Sequence, residues 1–329
     1  MKDIVLEELR KNKSKYLSGE ELSKELGVSR TSIWKYIKKL KEEGYTIDSS
    51  TNKGYILIET PDVLYPSEVK RLINTKIIGS EIVFLESIDS TNNYGKKISE
   101  KDFIEGTLII AEEQTSGRGR LGREWVSPKG QGIWMSIMLK PNIKPEQASQ
   151  ITIIAAYAIA KSIKEICNVD ALIKWPNDII VNGKKVCGIL TEMGAEIDII
   201  NYLIVGIGIN ANIDEKHLLE SGLNTATSLK IEKGQVIDRK ILISRIIMNF
   251  EKLYMDFIEK SSIINIISNY KKMNVTLGKE VRLIFKKEEL HGVAIDINNL
   301  GQLIIELDNG ETIELASGEV SVRGIYDYV

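Results

Sequence analysis

An apolar run, Thr107-Leu108-Ile109-Ile110-Ala111, passes through Glu112 and Glu113 into Gln114-Thr115-Ser116-Gly117-Arg118-Gly119-Arg120-Leu121-Gly122-Arg123-Glu124-Trp125. The run reads as a buried strand, so the chain beyond it must leave a sheet as a loop. That loop packs three glycines and three arginines into the seven positions Gly117 to Arg123. Glycine lets a backbone approach a ligand closely. Arginine offers a planar, permanently charged fork to phosphate or carboxylate. Gly117 to Gly122 is also a literal G-x-G-x-x-G, but a dinucleotide fold needs a helix to begin inside that motif, so that its N-terminus meets the pyrophosphate. Here Glu124-Trp125-Val126-Ser127-Pro128-Lys129-Gly130 comes next, with turn punctuation and no helical period. The segment therefore argues against a Rossmann domain and for a mobile anion-binding loop, with a plain solvated basic loop as the bland alternative.

Around this loop the chain alternates strand-like and helical patterns. Strand-like runs occur at Ile82 to Leu85, Thr107 to Ala111, Trp134 to Leu139, Ala171 to Lys174, Asp178 to Val181, Val186 to Glu192 and Tyr202 to Ile209. Pro145 to Cys167 reads as one long, largely buried helix and Arg239 to Tyr254 as another. The pattern predicts a mixed sheet with helices packed on it, over residues 67–273. The tail, 275–329, changes to short strands and turns. Asp308-Asn309-Gly310 between two alternating runs is a hairpin signal, and the tail is expected to form a small β-barrel.

The first 60 residues read as a separate unit. Ser18-Gly19-Glu20-Glu21 looks like a helix cap, Gly27 like a tight turn, and Val28-Ser29-Arg30-Thr31-Ser32 like the start of a second helix with Ile33, Ile37 and Leu40 inward. Two short strands then form a wing. The second helix carries Arg30, Lys35, Lys38, Lys39 and Lys41, and no acid between Val28 and Lys41. Ser29, Arg30, Thr31 and Ser32 stand where a recognition helix presents side chains to base edges. Lys35, Lys38 and Lys39 are placed to neutralise phosphates. Thr60 to Ser67 holds two prolines and reads as a linker.

The net charge of −2 leaves any nucleic-acid role to this local basic face. Two cysteines far apart, Cys167 and Cys187, and two histidines argue against a His/Cys metal centre. No metal ligands are assigned; a divalent ion such as Mg2+ would arrive with nucleotide phosphates and meet carboxylates. No apolar run approaches the roughly 20 residues of a membrane span, and the first residues lack a signal-peptide pattern. The cytoplasm is the expected compartment, with no membrane partner.

Three motifs, in order, carry a resemblance. Gly117-Arg118-Gly119-Arg120-Leu121-Gly122-Arg123 is similar to the G-R-G-R-x-G-R signature of biotin protein ligases. Lys174-Trp175-Pro176-Asn177-Asp178 resembles that family's K-W-P-N-D, and Lys184-Lys185-Val186-Cys187-Gly188-Ile189-Leu190 its K-x-x-G-I-L segment. With the N-terminal unit, the chain resembles the repressor-type members. The resemblance implies an α+β multidomain protein: a winged helix-turn-helix, a central ligase domain related to lipoate ligases and class II synthetases, and an SH3-like C-terminal barrel. It implies biotin and ATP as substrates and a biotin carboxyl carrier protein as acceptor. It also implies operator DNA of biotin genes as a partner, bound by a homodimer loaded with biotinyl-5′-AMP.

The same resemblance assigns site residues. Ser90, Thr91 and Asn92, from a D-S-T-N segment, would bind the ureido ring, a role suited to hydroxyls and amides. A helix N-cap is an equally good reading of them. Gln114, Arg118, Gly119 and Arg120 would complete the biotin and adenylate contacts, with Arg118 and Arg120 also catalytic. Asn177, Asp178, Gly206, Gly208 and Asn210 would hold the nucleotide, the glycines leaving room for the ligand to lie flat, while Trp175 and Pro176 shape the wall. The loop from Asn212 to Ser228 would fold over adenine. Asn182-Gly183 reads as a hairpin turn, so alternation sends Lys184 and Lys185 to opposite faces; the resemblance makes Lys185 the inward one, bridging carboxylate and α-phosphate. Two other readings stay open: a lipoate-type ligase on the same fold, and a small-molecule-sensing transcription factor without turnover.

Overall fold

In the computed structural model, which describes residues 1–284, 289–316 and 321–324, the N-terminal helices begin where side chains satisfy free amides. Ser18 Oγ accepts the Glu21 N–H at 3.0 Å and Glu21 accepts the Ser18 N–H at 2.8 Å, a complete capping box. Helix α1 spans Lys2–Lys11, α2 Gly19–Leu26 and α3 Arg30–Glu42; Gly27 ends α2 at φ +64, the left-handed residue such ends require. Strands β1 (Thr46–Ser50) and β2 (Gly54–Glu59) pair antiparallel as the wing. Val5, Leu6, Leu9, Leu22, Ile33, Ile37 and Leu40 are buried at the helix junction. The expected helix-turn-helix and wing are both present.

The chain divides into two compact units, Met1–Val63 and Leu64–Val329. The larger runs α4 (Pro66–Lys70), β3 (Ile82–Leu85), α5 (Thr91–Ser99), β4 (Leu108–Ala111), β5 (Ile133–Leu139), α6 (Ala148–Cys167), β6 (Leu172–Lys174), β7 (Asp178–Val181), β8 (Lys184–Ala195), β9 (Ile200–Ile209), α7 (Glu215–Glu220), α8 (Leu229–Lys233), α9 (Arg239–Lys260) and α10 (Ile264–Lys272). The sheet order is β3-β4-β5-β9-β8-β7-β6. Only β3 and β4 pair in parallel; the other neighbours are antiparallel. This is the expected mixed sheet. Every residue of β4 and β5 is buried, because both faces are covered. The long helix α6 packs on the sheet and on α9 through Ile151, Ile154, Ala155, Ala158 and Ile159. On another face α5 sets Tyr94 and Ile98 against Ile109, Met138 and Ile204.

A second sheet closes the chain: β10 (Glu280–Ile284), β11 (Glu289–Ile297), β12 (Leu303–Leu307), β13 (Thr312–Leu315) and β14 (Ser321–Gly324), in the order β13-β12-β11-β10-β14 with every pair antiparallel. Five short antiparallel strands are compatible with the expected SH3-like barrel; the rest of that segment lies outside the described residues. This sheet seats against the seven-stranded sheet around Trp175. The Trp175 indole N–H donates to the Gly301 carbonyl at 3.0 Å, and its backbone N–H to Thr276 Oγ1 at 3.0 Å. Gly301 sits at φ +81, and a Cβ there would stand 3.0 Å from Ile153 Cγ1.

Candidate functional site

The N-terminus of α5 forms one end of a deep cavity. Ser90, Thr91 and Asn92 are almost fully buried yet line it. Ser90 is the N-cap by backbone position but makes no side-chain capping bond, so its hydroxyl is not spent on the helix. Gln114 Oε1 accepts both the Thr91 N–H (2.9 Å) and the Thr91 hydroxyl (3.1 Å), and Gln114 Nε2 donates to Ser127 Oγ. Behind them lie two residues that sequence reading missed. The Ser136 hydroxyl, wholly buried on β5, is 2.7 Å from both Thr91 Oγ1 and Asn92 Oδ1. Glu192 on β8 accepts from Asn92 Nδ2 (2.8 Å) and from Lys96 Nζ (2.6 Å). Glu192 thereby fixes which way the Asn92 amide points, a choice the amide alone leaves open.

The Gly/Arg loop is folded back on itself. Gly119 N–H donates to the Arg123 carbonyl (2.7 Å) and Trp125 N–H to the Gly117 carbonyl (2.9 Å). At its tip Leu121 takes φ +56 and stays exposed, followed by Gly122 at φ +73. A left-handed leucine costs roughly 1–3 kcal/mol, offset by the bonds across the loop. Arg118, Gly119, Arg120 and Arg123 line the cavity. Arg118 is exposed, whereas Arg120 is half-buried and donates to Asn177 Oδ1 at 3.0 Å. Burial pulls the Arg120 guanidinium below its ordinary pKa; Asp178 opposes that shift and Arg123 adds to it.

Across the cavity stands Lys185. Asn182 (φ +48) and Gly183 (φ +75) make the hairpin turn expected between β7 and β8. Lys184 is exposed and Lys185 half-buried, facing the cavity as expected. Lys185 Nζ lies 2.7 Å from Asp178 Oδ1 and 5.1 Å from the centre of the Trp125 ring. The Lys185 backbone pairs with the 212–228 loop, its N–H reaching the Thr225 carbonyl and its carbonyl the Thr227 N–H, both at 2.9 Å. Leu223, Thr225 and Ala226 of that loop complete the wall. Asn210 holds the same loop, its Nδ2 donating to the Thr227 carbonyl.

Gly206 and Gly208 line the cavity, but the open strip expected above them is filled by protein. A Cβ on Gly206 would meet Asn92 Oδ1 at 2.3 Å, and one on Gly208 would meet Trp125 Nε1 at 2.4 Å. The missing side chains first make room for these two. Trp125 Nε1 is buried and meets no acceptor among the described residues.

The cavity measures about 640 Å³, within the range of roughly 300–1,000 Å³ usual for small-ligand sites. Arg118, Arg120, Arg123, Lys174, Lys185 and Arg282 contribute cations to its lining; Glu124 and Asp178 are the carboxylates. Such a balance suits an anionic ligand. All the predicted small-molecule residues converge here: Ser90, Thr91, Asn92, Gln114, Arg118, Gly119, Arg120, Asn177, Asp178, Lys185, Gly206, Gly208 and Asn210.

In the N-terminal unit, Ser29 caps α3 through the Ser32 N–H. Ser29, Arg30, Thr31, Lys35, Lys38 and Lys39 are exposed, with Ser32 half-buried. Lys41 Nζ donates to Ser49 Oγ of the wing. Trp34, absent from the sequence-based reading, is 54% exposed on α3 with the Lys38 ammonium 5.8 Å from its ring centre. An exposed tryptophan amid lysines on a helix is a signal that the sequence did carry.

Comparison with known proteins accounts for both halves. A profile of the biotin/lipoate A/B protein ligase family matches residues 84–210, an HTH domain profile residues 3–56, and a biotin protein ligase C-terminal domain profile residues 276–323. The bifunctional ligase/repressor BirA of Bacillus subtilis is 37% identical over 298 residues, covering 90% of this chain and 91% of the relative. That of Escherichia coli is 29% identical, covering 93% and 92%. The solved biotin protein ligase from Aquifex aeolicus in complex with biotin and ATP superposes with a TM-score of 0.63 at 29% identity, over 74% of this chain and 99% of that one. With these three profiles matched along it and a bifunctional ligase/repressor 37% identical over 90% of its length, the chain belongs to the bifunctional ligase/repressor family of biotin protein ligases.

Proposed function

We propose that this protein joins biotin to ATP as biotinyl-5′-AMP, passes the biotinyl group to a lysine of a biotin carboxyl carrier protein, and represses biotin genes through α3. The observation that carries the enzymatic half is the convergence of a polar pocket end, a guanidinium loop and Lys185 on one cavity. A biotin carboxylate oxygen attacks the α-phosphorus. The new P–O bond forms as the bond to the β-phosphate bridging oxygen breaks, and pyrophosphate leaves with that electron pair. Negative charge grows around phosphorus at that moment, where fixed cations in a shielded site are most effective. Lys185 is the stabiliser in this reading, with Arg118 and Arg120. Ser90, Thr91, Asn92, Gln114 and Gly119 hold the vitamin; Asn177, Asp178 and Asn210 hold the nucleotide, while Gly206 and Gly208 make room in the cavity wall for Asn92 and Trp125. The folded Gly/Arg loop and the 212–228 loop keep water from the anhydride until the acceptor lysine attacks.

Among the described residues no three His, Cys, Asp or Glu side chains converge as a metal cage. Magnesium usually binds through one or two carboxylates plus substrate phosphates, so Asp178 and Glu124 fit an ion that enters with ATP and neutralises phosphate charge. The cytoplasm is the compartment this reading implies; among the described residues no helix is long and apolar enough to cross a membrane.

The substrate is tested by incubating the protein with ATP, magnesium and either biotin or lipoate. Pyrophosphate release with biotin alone is expected; release with lipoate alone would move the chain to the lipoate-type reading. The repressor half predicts that biotinyl-5′-AMP promotes homodimerisation and tightens operator binding, since helix-turn-helix repressors read paired half-sites. Gel-shift titrations giving equal affinity with and without the adenylate would contradict it. Replacing Lys35 and Lys39 with alanine should weaken binding to all sequences alike and flatten the salt slope by roughly 0.9 per lost phosphate contact. An Arg30→Ala change should instead relax discrimination at one base position by about 1–3 kcal/mol. Neither should alter pyrophosphate release.

A further inference from the structure

We infer that Arg282, carried by the C-terminal sheet, is a binding residue of the ligase cavity and contacts the β- and γ-phosphates that leave as pyrophosphate. This rests on the adenylation reading above. Arg282 lies on β10 and lines the cavity alongside Trp175, Pro176 and Lys185. Its place there is built, because the indole and backbone bonds of Trp175 to Gly301 and Thr276 fix the sheet against that wall. Its Nε is buried and meets no acceptor among the described residues. Nη1 comes only within 3.6 Å of Glu289, a half-exposed carboxylate and too far for a good hydrogen bond. His291, its cross-strand neighbour, lies 3.2 Å from the same carboxylate.

A guanidinium with a buried, unpaired donor facing an anion-binding cavity is incomplete until an acceptor arrives. Two of the other cations are already engaged by protein side chains. Lys185 has Asp178, and Arg120 has Asn177. The reaction delivers three phosphates, and as the α-phosphorus bond breaks the electron pair and growing charge move onto the departing diphosphate. Arginine forks match phosphate oxygens in pairs. A fork supplied by a separate sheet would also explain why the C-terminal segment is packed into the ligase core and not hung beside it.

The test uses full-length Arg282→Ala and Arg282→Lys proteins. Loss of a charge-assisted donor should raise the ATP KM for pyrophosphate release roughly tenfold to a hundredfold. In the reverse reaction, ATP formation from biotinyl-5′-AMP and inorganic pyrophosphate, the half-saturating pyrophosphate concentration should rise by a similar factor. Biotin affinity by calorimetry and transfer from preformed biotinyl-5′-AMP should stay within about twofold, which a merely structural defect would not spare. Arg282→Lys should fall between, keeping charge without the fork. Unchanged ATP and pyrophosphate dependence in Arg282→Ala would overturn the assignment, as would equal losses in biotin binding and transfer. Wild-type protein that releases no pyrophosphate with biotin would remove the reading beneath it, and the assignment with it.

Discussion

Lys185→Ala protein should release pyrophosphate about 10²–10³-fold more slowly than wild type, the usual cost of losing one well-placed donor at a developing charge. It should still bind preformed biotinyl-5′-AMP, though less tightly. The structure adds a second consequence. Lys185 is the cation 2.7 Å from Asp178, so its removal leaves that carboxylate facing the incoming phosphates without this partner. Nucleotide binding should suffer along with the rate. In Lys185→Ala/Asp178→Asn protein the bare charge is gone, but neither the stabiliser nor the carboxylate proposed to meet magnesium is restored. The slow chemical step should persist, and ATP affinity should stay below that of wild type. Single-turnover assays over a range of ATP separate the two. A single variant with wild-type rate would remove Lys185 from the chemistry, and a double variant with wild-type rate would show that it serves only to mask Asp178.

The largest loss of stability is expected from Glu112→Ala. Glu112 and Arg239 are nearly inaccessible, and both terminal nitrogens of the guanidinium lie 3.1 Å from one carboxylate oxygen. Arg239 also donates to the Gly132 carbonyl, and the other Glu112 oxygen accepts the Leu64 N–H. Truncating one member of such a pair leaves a buried charge without that counter-ion and typically costs about 3–5 kcal/mol. The urea midpoint of the larger unit should fall accordingly. A Glu112→Leu/Arg239→Met double variant removes both charges and should cost far less. Glu112 lies two residues before Gln114, so the single change should also weaken biotin binding. Equal stability of Glu112→Ala and wild type would show that relaxation or water compensates the pair.

How much of the molecule is legible in the sequence depends on the range of each interaction. An Asn-Gly turn and strand alternation put Lys184 and Lys185 on opposite faces by local rules, the family resemblance turns Lys185 inward, and the structure has Lys184 exposed. The Ser18 capping box and the Gly27 turn are likewise written in neighbouring residues. Ser136 is hidden, because it sits inside an apolar strand and its partners lie 44 and 45 positions away. A hydroxyl in a buried strand is nonetheless a clue, since such groups need partners. Glu192 and Arg239 escape for the same reason, their partners being 100 and 127 positions distant. Trp175 reads as wall, but a buried indole N–H requires an acceptor, and the acceptor is Gly301 of the second sheet. The glycines at 206 and 208 are recognisable as space; that Asn92 and Trp125 occupy it depends on how α5 and the Gly/Arg loop fold over β9. The short helix α7 lies in a segment, Asn212 to Ser228, that reads simply as a loop.

The most direct measurement is native mass analysis of the protein after incubation with biotin, ATP and magnesium, before and after adding a biotin carboxyl carrier protein. A retained mass equal to biotinyl-5′-AMP is expected with pyrophosphate in solution, and then transfer of one biotinyl group to the carrier's lysine. Retention of unmodified biotin, with neither pyrophosphate nor a modified carrier, would contradict it and leave a sensor that binds the vitamin without chemistry.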